Sequence, residues 1–119
     1  MYTEKELNQA LTIINKTIER CEKTHLKFEV GTSQYTLLKN RLNALYISQS
    51  LILDESISDT YLKIDIVKAI PVISSIISKC EKAILKFDFE TVNYIKLDDL
   101  IKAMMVAKYF LLKETENKK

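Results

Sequence analysis

The chain holds one histidine and two cysteines, and those three residues bound the chemistry open to it. A single imidazole, His25, cannot supply a His-rich metal site or a conventional catalytic triad. Cys21 and Cys80 have neither CxxC spacing nor a staple pattern, which suits a reducing compartment and predicts a cytoplasmic protein. Both fall on apolar stripes, where a thiol packs as a small hydrophobe. A reactive thiol needs an exposed electropositive setting, and the Lys and Arg neighbours of both cysteines fall on the other helix face. The carboxylates Glu19, Glu22, Glu81, Asp98 and Asp99 are interleaved with Lys and Arg at helical spacing, Glu19 and Lys23 forming an i, i+4 pair, as on a solvated helix face. No Gly-rich phosphate loop, zinc spacing or nucleophile elbow occurs. The expectation is a protein without catalytic residues, metal or cofactor.

One polar pattern is repeated. Arg20, Lys23 and Lys27 form a basic stripe late in the first helix, and Lys79, Lys82 and Lys86 copy it in the third. Each stripe leads into a loop and a helix N-terminus, where free amides and a partial positive charge favour an anion. In the first copy Thr32, Ser33 and Gln34 stand at that N-terminus, and Asn40 and Arg41 add donors two turns on. The candidate ligand-binding set is therefore Arg20, Lys23, Lys27, Thr32, Ser33, Gln34, Asn40 and Arg41, for a small anionic or nucleotide-like molecule. The second copy has Glu90 in place of Gly31, and Asp99 and Leu100 in place of Asn40 and Arg41, so the site would belong to the first copy alone. The plainer reading of the same residues is a solvated face and an ordinary cap. Glu22, Glu29, Glu81 and Asp88 interrupt the stripes, which argues against nucleic acid as a partner.

The spacing Arg20-x4-His25 resembles the short motif of HEPN-type ribonucleases, all-helical domains in which such a pair performs metal-independent RNA cleavage. The resemblance implies Arg20 and His25 as the working pair, although here the motif ends the first helix instead of opening a late one. The stretches Thr32-Ser33-Gln34-Tyr35 and Asn40-Arg41-Leu42 resemble small proteins of low-GC Gram-positive bacteria and their phages, a likeness that implies a bacterial or phage origin and no activity.

The elements that must position these residues come from a duplication. Sliding the chain by 59 places aligns 10–53 with 69–112 without a gap, with 14 identities over 44 positions. Arg20-Cys21-Glu22-Lys23 falls on Lys79-Cys80-Glu81-Lys82, and Leu26-Lys27-Phe28-Glu29 on Leu85-Lys86-Phe87-Asp88. In the first helix Leu7, Leu11, Ile14, Ile18, Cys21, His25 and Phe28 recur at steps of four and three, which puts them on one face. Thr3 and Glu6 form a capping box at its start, and Gly31 supplies a left-handed stop. Thr32 or Ser33 caps the second helix, with a stripe of Tyr35, Leu38, Leu42, Leu45, Gln49 and Ile52. The second copy repeats this with Ile66, Ile70, Ile73, Ile77, Cys80, Ile84 and Phe87, then Tyr94, Leu97, Ile101, Met104, Lys108 and Leu111. Pro71 inside the third helix predicts a kink or a fresh start.

The whole is one all-α domain over 1–119: repeat one 3–53, a linker 54–60, repeat two 61–112 and a frayed tail 113–119. Hydrophobic residues at 47%, charged residues at 29%, and one Gly and one Pro favour a few long helices over a β-sandwich or barrel. A net charge of +2 is too small to mark a polyanion binder. Neither a signal peptide nor a membrane-spanning run is visible. Two hairpins with apolar faces bury them most economically as a four-helix bundle with internal pseudo-two-fold symmetry. Ile13, Leu37, Ile47, Leu51, Val72, Ile76, Leu100, Val106 and Phe110 widen the stripes beyond one core's needs, which predicts self-association, with the second copy as the interface. The expected function is a non-catalytic interaction protein of regulatory, immunity or counter-defence type that works by protein–protein binding.

Overall fold

A computed structural model describes residues 2–53, 61 and 63–117, which form four α-helices and no strand: α1 (Glu4–His25), α2 (Ser33–Ile52), α3 (Lys63–Ile84) and α4 (Val92–Asn117). Three boundaries obey the 59-residue shift, since α1 and α3 start and end at equivalent positions, as do the starts of α2 and α4. The capping box at the start of α1 is formed: Thr3 N–H donates to Glu6 Oε1 at 2.9 Å and Glu6 N–H to Thr3 Oγ1 at 3.1 Å. The inferred linker 54–60 lies outside the described residues. α4 carries on through Lys113 to Asn117, five residues into the segment read as a tail, with Thr115 Oγ1 donating to the Leu111 carbonyl at 2.8 Å.

The hairpin loops correct one expectation. Neither helix reaches Phe28 or Phe87, and Gly31 is not the helix stop. α1 ends at His25, and the chain tightens through Lys27 N–H to Thr24 C=O (3.0 Å) and Phe28 N–H to His25 C=O (3.3 Å). The loop after α3 repeats this with Lys86 to Ala83 (3.1 Å) and Phe87 to Ile84 (3.2 Å). The determinant is the cap of the following helix. Thr32 Oγ1 accepts from Tyr35 N–H at 3.2 Å and donates to Glu29 C=O at 2.8 Å, and Thr91 does the same with Tyr94 and Asp88. That geometry holds Thr32 extended, at φ −82° and ψ 156°, so the chain must leave the helical region first. The residue before each cap has positive φ, +94° at Gly31 and +71° at Glu90. Glycine suits that conformation and glutamate does not.

The core joins stripe residues from all four helices: Ile14, Leu45, Ile66, Ile73, Met104 and Leu111 are fully enclosed. Pro71 lies within a continuous α3, on its exposed side. Its ring leaves the carbonyl of Val67 without an intrahelical donor, and Val67 is itself exposed to water.

The packing is lozenge-shaped. α2 and α4 each touch all three other helices, whereas no Cα of α1 comes within 8 Å of a Cα of α3. The molecule is correspondingly flat, 44 × 40 × 20 Å. Small buried residues at equivalent positions, Ala44 and Ser48 on α2 with Ala103 and Ala107 on α4, keep the two central helices slender enough for three neighbours. This arrangement absorbs much of the widened stripe, since Ile47, Leu51, Ile76 and Val106 are buried within the monomer. Among the described residues no helix is long and apolar enough to cross a membrane.

Candidate functional site

Because α1 and α3 do not meet, a cleft opens between their C-terminal halves, with α2 and α4 beneath. Its volume is 370 Å³, and it is lined by Thr17, Arg20, Cys21 and Thr24 from α1, Leu38 and Arg41 from α2, Ile76, Lys79 and Cys80 from α3, and Leu100 from α4. Eight of these ten are four pairs 59 positions apart: Thr17 and Ile76, Arg20 and Lys79, Cys21 and Cys80, Arg41 and Leu100. No carboxylate lines the cleft. Among the described residues Arg20, Arg41 and Lys79 have no side-chain hydrogen bond or ion pair.

The two thiols stand in this cationic setting, and the expectation that their basic neighbours lie on another face is corrected. Adjacent helical residues are about 100° apart, so the long side chain of Arg20 reaches the cleft beside Cys21, and Lys79 reaches it beside Cys80. Burial pushes both thiols above their ordinary value of 9.0, opposed by the charges of Arg41 and then Arg20; at Cys80 the charge of Glu81 adds weakly to the rise. The same two guanidiniums thus act on thiols from opposite walls. Both cysteines are free. With α1 and α3 more than 8 Å apart at every Cα pair, a disulfide, which tolerates roughly 7 Å, cannot join them without backbone movement.

The eight residues singled out from sequence fall in four places. Arg20 and Arg41 share the cleft. Lys23 is paired with Glu19 at 3.4 Å on the solvated side of α1, while Lys27, Thr32, Ser33 and Gln34 belong to the loop and first turn of α2. There the Thr32 hydroxyl is committed to its cap, and Ser33 Oγ donates to Gln34 Oε1 at 3.4 Å. Asn40 faces a different groove, between α2 and α3. Lys79 completes the cationic group and was absent from the sequence-derived set, although its place opposite Arg20 in the repeat was a usable signal. His25 does not line the cleft with Arg20. Its ring stacks on Tyr35 at 4.3 Å, and its Nε2 is shielded without a hydrogen-bond partner.

Two further grooves share ten equivalent lining positions, Thr12 being an eleventh in one of them. The α2–α3 groove, 630 Å³, is lined by Asn40, Asn43, Ala44, Tyr46, Ile47, Tyr61, Asp65, Lys68, Ala69 and Val72. Each of those positions has its counterpart 59 residues away in the α1–α4 groove of 640 Å³, which runs from Tyr2 and Glu6 to Met105 and Val106. Polar cross-links differ between the halves. Tyr46 donates to Glu22, which holds the phenol above its ordinary value, and Gln49 Nε2 donates to Asn15 Oδ1 at 2.6 Å. In the second hairpin Met105 and Lys108 occupy the places of Tyr46 and Gln49.

Each hairpin loop exposes apolar side chains beyond the cleft-lining helix that leads into it. Leu26 and Val30 in the first, Leu85 and Phe89 in the second, are between 74% and 85% exposed, with Val92 and Ile95 open alongside the second loop. Lys27, Glu29, Lys86, Asp88 and Glu90 are interspersed, so both signs of charge are present. Among the described residues no group of three or more His, Cys, Asp or Glu is arranged to hold a metal ion. The chain matches no protein-family model, no curated protein and no solved structure.

Proposed function

We propose that this chain is a non-catalytic interaction module, two copies of one hairpin related by an approximate two-fold axis, which self-associates and binds a protein partner through its paired hairpin tips. The approximate two-fold is supported by the coincident helix limits, by the ten equivalent positions shared by the two large grooves, and by a central cleft in which eight of ten lining residues form equivalent pairs. The function rests chiefly on the tips. Loop residues exposed as widely as Leu26, Val30, Leu85 and Phe89 cost solvation free energy, at roughly 25 cal/mol per Å² of apolar surface left in water. The duplication keeps them apolar in both copies. Each tip thus presents an exposed apolar cluster of the kind that marks a protein contact.

The mixed charge at the tips favours a protein over a polyanion. A surface with Lys27 and Lys86 beside Glu29, Asp88 and Glu90 is self-complementary, which an isologous dimer requires, whereas a phosphate backbone or an anionic membrane would meet those carboxylates unfavourably. The second tip is the broader, through Phe89, Val92 and Ile95, and is the main contact. Free thiols suit the cytoplasm of a bacterial or phage-infected cell, and a small regulatory, immunity or counter-defence protein is the role that fits.

Sedimentation equilibrium of the full chain tests the self-association. The native chain should reach dimer mass, and Leu85→Ser with Phe89→Ser should return it to monomer without loss of helical circular dichroism. A native monomer at every concentration would refute self-association. Host proteins cross-linked equally by the native chain and the double variant would refute the tips as the contact.

A further inference from the structure

Three cations converge on the central cleft, and among the described residues no carboxylate lines it or pairs with them. Arg20 and Lys79 rise from its two walls and Arg41 from its base, while the rest of the lining is apolar or weakly polar: Leu38, Ile76, Leu100, the two thiols and two threonines. The threonines are already engaged, Thr17 Oγ1 donating to Ile13 C=O at 2.7 Å and Thr24 Oγ1 to Arg20 C=O at 2.9 Å. Glu81 acts on Cys80 more weakly than burial or either guanidinium and lies outside the lining.

Like charges held at one opening repel, and an anion relieves the repulsion while gaining charge-assisted hydrogen bonds, bidentate where the donor is arginine. An inorganic anion alone would leave the apolar floor wet. The cleft volume of 370 Å³ lies at the small end of the range, roughly 300–1,000 Å³, in which compact organic ligands are held with an apolar body and a few fixed polar contacts.

We propose that this cleft binds a small amphipathic anion, with its carboxylate, sulfonate or phosphate held by Arg20, Arg41 and Lys79 and its apolar body lying on Leu38, Ile76 and Leu100 between the two cysteines. The site is distinct from the hairpin tips and does not depend on the interaction function. It is also directional. Arg41 has Leu100 as its counterpart in the repeat, so α2 contributes a cation to the floor of the cleft where α4 contributes an apolar side chain. Cys21 forms part of the wall, so an occupant covers its sulfur.

The test uses the full chain and 1-anilinonaphthalene-8-sulfonate, an amphipathic anion whose fluorescence rises on binding. Saturable binding should weaken at least tenfold in Arg20→Gln with Arg41→Gln, and should persist in Leu85→Ser with Phe89→Ser. Octanoate should displace the dye, while octanol and inorganic phosphate should not. Saturating octanoate should also slow alkylation of Cys21 by N-ethylmaleimide several-fold. If the arginine pair lowers thermal stability, Lys79→Gln, an exposed position on the opposite wall, supplies the second charge variant. Dye binding abolished by the tip variant and indifferent to the arginines, displacement by phosphate as effective as by octanoate, or unchanged Cys21 alkylation would each overturn the proposal.

Discussion

Gly31 and Glu90 occupy the same turn of the two hairpins, and exchanging them tests the equivalence with backbone energetics alone. A non-glycine residue in the left-handed region costs roughly 1–2 kcal/mol, and Glu90 sits there at φ +71°. Replacing it with glycine removes that cost but loosens the unfolded chain, a penalty of about 0.5–1 kcal/mol. Glu90→Gly should therefore stabilise by roughly 0.5–1 kcal/mol net of those terms. In the other direction, a Cβ built on Gly31 meets nothing within 4 Å, so Gly31→Glu carries no steric clash and its cost is conformational. The φ of +94° lies beyond the +50 to +70° that L-residues tolerate. The loop must relax toward the conformation its counterpart already adopts, at about 1 kcal/mol. For a chain of this length such changes move the thermal midpoint by about 3–5 °C, up for Glu90→Gly and down for Gly31→Glu. Thermal and urea unfolding followed by circular dichroism at 222 nm reads both. A destabilised Glu90→Gly, or a Gly31→Glu indistinguishable from the native chain, would refute the claim that the turn is one backbone solution used twice.

Pro71→Ala should stabilise the chain by about 1–3 kcal/mol, because α3 is continuous through a residue that deletes a helical hydrogen bond; an unchanged urea midpoint would mean that α3 is locally distorted there. Leu45→Ala should cost about 2–5 kcal/mol, since Leu45 is wholly enclosed where α2 meets its neighbours, and a cost below that in chemical denaturation would place it off the core. Glu6 is held below its ordinary value of 4.5, chiefly by the hydrogen bond from the Thr3 backbone and then by that from its side chain. A depressed carboxylate contributes stability above its unfolded value and loses it as pH falls through the folded one, so the advantage of the native chain over Glu6→Gln should be full at neutral pH and shrink below pH 4.5; urea midpoints of both chains across that range measure it.

The helices were legible because their signal is periodic and occurs twice. Ile14, Ile18, Leu42, Leu45, Ile66, Ile73, Met104 and Leu111 were all read as core, and all are buried. The Thr3–Glu6 box was legible because both of its hydrogen bonds are local. The ends of α1 and α3 were not, since the stripe formally continues to Phe28 and Phe87, and what stops each helix is a threonine cap several residues later. The surplus of apolar residues was visible but its destination was not, because a stripe records how much surface is apolar and not how many neighbours share it. The lozenge packing buries Ile47 and Ile76 inside one chain and leaves apolar surface at the loops, where helical periodicity gives no reading. The cleft was half legible. Arg20 and Arg41 both belong to the eight-residue set the sequence offers, but the position of Lys79 depends on how the two hairpins dock.

Under the two-fold proposed above, docking brings equivalent residues face to face along the axis, where identical bulky side chains would collide. Two of the four pairs lining the cleft differ in chemistry, Thr17 against Ile76 and Arg41 against Leu100, while Arg20 and Lys79 keep one charge and Cys21 and Cys80 are identical. In the hairpin loops Leu26 and Leu85, Phe28 and Phe87, and Thr32 and Thr91 are identical. The pair Arg41 and Leu100 is therefore the sharpest chemical difference at the cleft. It makes Leu100→Arg the discriminating substitution: it would restore chemical symmetry along this part of the axis and add a fourth cation to the cleft. Destabilisation by this change, relieved by high salt that screens the added charge, is the expected result. A Leu100→Arg chain whose stability is unchanged and independent of salt would mean that Arg41 and its counterpart do not share the cleft, and the two-fold closure would have to be abandoned.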